Sequence, residues 1–180
     1  MIDIASELAR LHVLEGAEFV VQLKAITSHE GFHPLADNPD IYTMGGAHSE
    51  DYANQLAAAR RAVELGYSVY ILPNPPGIRT ADFIFVRKGI YKMYDLKTIH
   101  GQASVISRLK NSIGQANHIL LNMATDYNGM SLARSIKKYF ELNQNALEVM
   151  IFKKNKVLEV TRKSLDDKLF LNTFRKRYNK

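Results

Sequence analysis

Apolar positions recur at helical spacing near the start of the chain. Ile4 and Leu8 are followed by Leu11 to Val13, then by Phe19, Val20 and Leu23, which predicts helix over residues 3–24 with a break at Gly16. Residues 27–47 carry Gly31, Pro34, Pro39, Gly45 and Gly46 and predict a long loop. A loop of that length inside one domain is often functional. Ser49 stands where an N-cap is wanted, with Glu50 and Asp51 in the first turn. A stripe of Tyr52, Leu56, Ala59 and Val63 then carries a helix to Leu65, stopped by Gly66.

The pattern then changes period. Tyr67 to Leu72 is a short apolar strand closed by the turn sequence Pro73 to Gly77. Ala81 to Val86 and Tyr91 to Ile99 are rich in β-branched and aromatic residues, with Lys88-Gly89 between them, and predict a hairpin. Farther on, Ile106, Leu109, Ile113, Ala116, Leu120 and Met123 repeat at helical spacing and predict one long helix over residues 102–123. A helix at residues 131–140, strands at 147–152 and 157–161 around Lys153-Lys154-Asn155-Lys156, and a last helix over 164–178 complete the chain. No internal repeat or low-complexity segment is found.

Composition narrows the class. At 180 residues with 46% hydrophobic positions, the chain is long enough for one domain with a real core. We expect an N-terminal helical and loop extension over residues 1–46 and the main domain over 47–180. No apolar run approaches the length of a membrane span, and the N-terminal residues lack the basic-then-apolar pattern of a signal peptide. The absence of cysteine excludes disulfides and cysteine-based zinc sites. A net charge of +6 favours a polyanionic partner.

The residues that carry chemistry lie in the predicted hairpin. With Lys88-Gly89 as a two-residue loop, Arg87 faces Ile90, and counting outward sets Asp82 opposite Asp95. Directly opposed residues have Cβ atoms roughly 4.5–5.5 Å apart, and like charges there destabilise the pair. A bound Mg²⁺ or Mn²⁺ reverses that sign, because hard cations take carboxylate oxygens. Lys97 lies two residues beyond Asp95 and so projects from the same face. There it would position a water or stabilise charge developing on phosphorus. The competing reading makes Asp82 a strand-start cap and Asp95 and Lys97 a solvated edge. Against it, both acids interrupt runs that otherwise read as buried, and buried acids are usually paired or metal-bound.

The predicted order helix–strand–strand–strand–helix–strand is that of the PD-(D/E)xK nuclease core, and the chain resembles that superfamily. Asp82 stands as its first acid, Asp95 as its second and Lys97 as its lysine. The proline that precedes the first acid in the family is replaced by Ala81. More narrowly, HSEDYANQLAAARRAVELGYSVY, TADFIF, YDLKTI and IGQANHILL, from about Gly45 to Asn122, resemble the C-terminal nuclease domains of CdiA-type contact-dependent inhibition toxins. The resemblance implies an α/β fold with a central mixed sheet, flanking helices and extra N-terminal helices. It implies a metal-dependent nuclease acting on tRNA or DNA, with Mg²⁺ or Mn²⁺ held by Asp82, Asp95, the Leu96 carbonyl and Glu50. It also implies Gln115 near the active site, a cognate immunity protein, and action in the bacterial cytoplasm after delivery within a larger secreted protein. Glu50 has a structural reading too, since an acid in the first turn offsets the helix dipole, and Asp51 is able to replace it. His100, directly after the strand, is a further proton-donor candidate.

Substrate contacts are expected from a polar stripe on the predicted long helix, Ser104, Arg108, Asn111, Gln115, His118 and Asn122, and from the basic segments that include Lys153, Lys154 and Arg175. Each has a plain reading as solvated surface. Two alternatives remain. One is a nucleic-acid-binding module without catalysis. The other is a zinc peptidase, since His29-Glu30-Gly31-Phe32-His33 matches H-E-x-x-H. That motif needs a helix, which Gly31 and Pro34 oppose.

Overall fold

The computed structural model describes residues 3–45 and 50–180. The chain divides into two units, Met1–Tyr94 and Asp95–Lys180.

The first unit opens with α1 (Ile4–Arg10), a 3₁₀ turn (Leu11–Val13) and α2 (Gly16–Thr27). The break falls at Gly16, whose φ of 56° suits glycine. Asp3 caps α1, accepting from the Ala5 N–H at 3.3 Å. The expected loop over residues 27–47 is corrected by the structure. It contains two antiparallel strands, β1 (Phe32–Leu35) and β2 (Asn38–Met44). Pro34 is accommodated because β1 is an edge strand whose register shifts between Pro34 and Leu35, where a missing N–H breaks no regular ladder. Aromatic packing fixes the pair: Tyr42 stacks on Tyr70 at 4.6 Å and Phe32 meets the same ring edge-on at 5.3 Å.

Next come α3 (Tyr52–Glu64), β3 (Ser68–Ile71), β4 (Phe83–Arg87) and β5 (Ile90–Ile99). The expected Ser49 cap lies outside the described residues. Asp51 occupies the cap position and Glu50 precedes it, so both stand just before the first turn. Gly66, with φ of 91°, follows the helix end. β2 and β3 pair in parallel, while β3–β4 and β4–β5 are antiparallel. The hairpin has the expected register, with Arg87 opposite Ile90 and Phe83 opposite Tyr94. Lys88 and Gly89 both take positive φ, 51° and 74°, as a type I′ turn requires. Tyr67, Phe83, Phe85 and Tyr94 form a buried aromatic group with centroids 4.7–5.4 Å apart.

β5 is covalently continuous into the second unit, where the Ile99 carbonyl accepts from the Ala124 N–H at 2.9 Å. The predicted helix over residues 102–123 is a second correction. Helix covers only α4 (Val105–Lys110). A turn spans Asn111–Gln115, and β6 (His118–Met123) follows. Gly114, with φ of 84°, lies in that turn. Ile119, Leu121 and Met123 then face the core with strand alternation. α5 (Gly129–Leu142), β7 (Glu148–Lys153), β8 (Lys156–Thr161), α6 (Arg162–Leu165) and α7 (Phe170–Asn179) complete the unit. β6 and β7 are parallel and β7 and β8 antiparallel. The last helix is therefore interrupted after Leu165, where the predicted one was continuous. The core joins Val105 and Leu109 of α4, Ile136 and Tyr139 of α5, Val149 and Ile151 of β7, and Phe174 and Tyr178 of α7.

The fold class is the expected one: α/β, with mixed sheet pairing, flanking helices and additional N-terminal helices. Among the described residues no helix is long and apolar enough to cross a membrane.

Candidate active site

In the second unit the site is built on β5. Asp95 is only 3% exposed. A carboxylate that deep must be hydrogen-bonded, and its partners include Ser112 and Lys97. The Ser112 hydroxyl donates to Oδ2 at 2.6 Å, and the Lys97 ammonium lies 3.1 Å from the same oxygen. Asp95 and Lys97 are two apart on one strand, so strand alternation places both on one face. Ser112 is delivered by the turn after α4, where its N–H bonds the Leu109 carbonyl at 3.0 Å. Leu96, half-buried, lies between the two charged residues. Tyr139 of α5 is fully buried. Burial raises its pKa and the charge of Asp95 adds to the rise, while the hydrogen bond from Asn143 opposes it.

In the first unit Asp82 directly precedes β4. Its backbone extends the ladder, with the N–H donating to the Tyr94 carbonyl at 3.1 Å and the carbonyl accepting from Leu72 at 2.9 Å. Its carboxylate accepts from the Gln55 side-chain amide at 2.7 Å. Gln55 lies on the buried face of α3 with Ala58, Ala59 and Ala62 and is 7% exposed.

The remaining expected residues are distributed as follows. Glu50 is exposed in the turn before α3. Gln115 is half-buried in the turn after α4, so its expected place on a long helix is corrected. Its N–H donates to the Ser112 carbonyl at 3.0 Å. The expected polar stripe does not exist as one helical face. Arg108 is on α4, Asn111 is its C-cap, and His118 and Asn122 are on β6. Arg108, Asn111, Lys154 and Arg175 are exposed. Lys154 lies 4.0 Å from the Asp126 carboxylate. Lys153 is committed to α7: its ammonium donates to the Tyr178 carbonyl at 3.0 Å and sits 3.7 Å from that ring centroid. Desolvation there lowers its pKa. His100 is exposed after β5.

The His29–His33 motif does not lie on a helix. His29 follows α2, its Nδ1 accepting from the Gly31 N–H at 3.0 Å, and His33 is in β1. The two histidines therefore lack the shared helical face a zinc peptidase needs. Among the described residues no three His, Asp or Glu side chains gather where one metal ion would be held. The donors at hand are carboxylate and carbonyl oxygens, which suit Mg²⁺ or Mn²⁺. Mg²⁺ commonly binds through one or two carboxylates and keeps several waters.

Sequence reasoning missed Ser112 and Gln55, the partners of the two aspartates. Gln55 was detectable as a polar residue on an otherwise small apolar stripe, a break that calls for a buried partner. Ser112 carried no such signal.

No family model matches the sequence, and no curated protein does. Among solved structures, the chain is similar to one described as a CdiA-CT/CdiI toxin and immunity complex from Burkholderia pseudomallei. The two are 15% identical, with a TM-score of 0.48, over 66% of this chain and 92% of that one.

Proposed function

We propose that this chain is a metal-dependent endonuclease of the PD-(D/E)xK type, hydrolysing phosphodiesters of tRNA or DNA. The observation that carries the reading is the buried Asp95 carboxylate, held by Ser112 and Lys97 on one face of β5. Burying a carboxylate costs several kcal/mol before its partners offset it. An apolar residue in its place would avoid that cost, so a carboxylate there suits a chemical role. The element order α3–β3–β4–β5–α4–β6 and the position of Asp82 at the start of β4 are in keeping with the same reading.

In the proposed mechanism Asp95 and the Leu96 carbonyl would hold Mg²⁺ or Mn²⁺, with Asp82 and Glu50 as the further acids that the resemblance implies. The ion would supply a bound water of lowered pKa and polarise the phosphate. Lys97 stabilises charge building up on phosphorus and helps orient the attacking water. Ser112 fixes the Asp95 rotamer, and Gln55 fixes that of Asp82. Arg108, Asn111, His118, Lys154 and Arg175 are assigned to the substrate. The biological role we propose is that of a toxin domain in bacterial competition, acting in the target cytoplasm after delivery. Its partner would be an immunity protein with an acidic covering face.

The test is cleavage of plasmid DNA and total tRNA by the purified chain in Mg²⁺, in Mn²⁺ and in EDTA, beside Asp95→Ala. Metal-dependent cutting lost in the variant supports the nuclease and identifies its polymer. No cutting, with salt-sensitive binding retained, replaces it with the binding-module reading.

A further inference from the structure

The first unit contains a cavity of about 430 Å³ lined in part by Asp3, Ala5, Thr43, Tyr52, Gln55 and Asn74. That volume lies within the range of roughly 300–1,000 Å³ common for small-molecule sites. Among the described residues its lining is more polar than apolar and contains neither lysine nor arginine. A phosphate is therefore a poor occupant, and Asp3 would repel one. A neutral, flat, hydrogen-bonding ligand fits that chemistry.

Gln55 ties the cavity to the proposed chemistry. It lines the space and also holds the Asp82 carboxylate through Nε2. Its side-chain oxygen, Oε1, is an acceptor beside that donor. Tyr52, at the first position of α3, adds an aromatic ring to the wall. Bases stack on such rings irrespective of sequence.

We propose that this cavity receives a nucleobase of the substrate strand, an inference that rests on the nuclease reading. Tyr52 supplies a stacking face, and the acceptors Asp3 and Gln55 select bases bearing an exocyclic amino group. The phosphate of the same nucleotide stays outside this cation-free wall. The site thus reads one nucleotide of the bound strand, and its preference would appear as a base bias among the sequences cut.

The experiment is titration of the full chain with AMP, CMP and UMP in EDTA, followed by protein NMR shifts. AMP and CMP should bind saturably and more tightly than UMP. Tyr52→Ala should weaken AMP roughly ten- to a hundredfold, and Tyr52→Phe should keep it, as stacking requires. Asp3→Asn keeps the helix cap and should narrow the gap between AMP and UMP. Ala5→Trp, which fills the space, should abolish binding and serves if Tyr52→Ala does not fold. Absence of saturable binding, or binding unchanged in both Tyr52→Ala and Ala5→Trp, overturns the proposal. The polymer-cleavage assay is read separately. Metal-dependent cutting without nucleotide binding removes this inference alone. Nucleotide binding without cutting removes the nuclease and leaves the cavity as a nucleotide site.

Discussion

A hydroxyl 2.6 Å from a carboxylate that is 3% exposed is a bond whose loss is felt. Hydrogen bonds to charged groups contribute about 1.5–3 kcal/mol, and Lys97 remains as a partner. Ser112→Ala should therefore lower the unfolding free energy by about 1–2 kcal/mol, read from the midpoint of urea denaturation at constant m-value. If Asp95 serves catalysis, the variant should also lose turnover more than substrate affinity, because its carboxylate is no longer held in one rotamer. An unchanged midpoint would show that Ser112 is a bystander. Tyr139 makes a second prediction through pH. Its folded pKa is raised, chiefly by burial, above the ordinary tyrosine value of about 10. Below that value both states keep the proton and the contribution is complete. Above it the unfolded chain ionises first, so stability falls as pH rises toward the folded pKa. Tyr139→Phe removes this loss and should move the alkaline unfolding midpoint upward in circular dichroism. At neutral pH it should be slightly less stable, because the Asn143 amide loses its acceptor.

At the level of elements, the contact between α5 and α7 gives the sharpest steric prediction. A Cβ on Gly129 would lie 2.9 Å from Tyr178 Cδ1 and 3.0 Å from Asn179 Oδ1. Overpacking of this kind costs roughly 1–3 kcal/mol. Gly129→Ala should accordingly lower the melting temperature even though alanine has the better helix propensity, and a rise would mean that α7 yields freely. The hairpin β4–β5 was legible because its turn chemistry is local: Lys88-Gly89 alone sets the register that puts Phe83 opposite Tyr94. Residues 102–123 were misread because Ile106, Leu109, Ile113, Ala116, Leu120 and Met123 match a helical period, although the consecutive apolar run Ile119 to Leu121 belongs to a buried strand. Periodicity alone does not separate the two for short apolar runs. β1 and β2 were hidden by Pro34 and Pro39, which edge position and a register shift make tolerable. Asp95 and Lys97 on β5, and Asp82 just before β4, were visible as polar intrusions in apolar runs. Their partners Gln55 and Ser112 were set by tertiary contacts 27 and 17 residues away, beyond any local pattern.

For the molecule as a whole, a net charge of +6 matters only if the cations face solvent. The structure sorts them. Lys153 and Lys156 both donate to the Tyr178 carbonyl, at 3.0 and 3.3 Å, so they stabilise the end of α7. Arg108, Lys154 and Arg175 are exposed and are the better candidates for phosphate contacts. Counterion release separates the two groups. Each lost phosphate contact should reduce the slope of log K against log salt by about 0.7–0.9. In an Asp95→Ala background, which protects the polymer from cutting, Arg175→Ala and Arg108→Ala should each reduce the slope by that amount and leave the melting temperature nearly unchanged. Lys153→Ala should do the reverse, losing about 1 kcal/mol of stability with the hydrogen bond and ring contact while the slope moves little. Fluorescence anisotropy with labelled tRNA and with duplex DNA across a salt series measures the slopes. Equal slopes for the parent and both arginine variants would mean that the exposed charge is not a phosphate-binding surface.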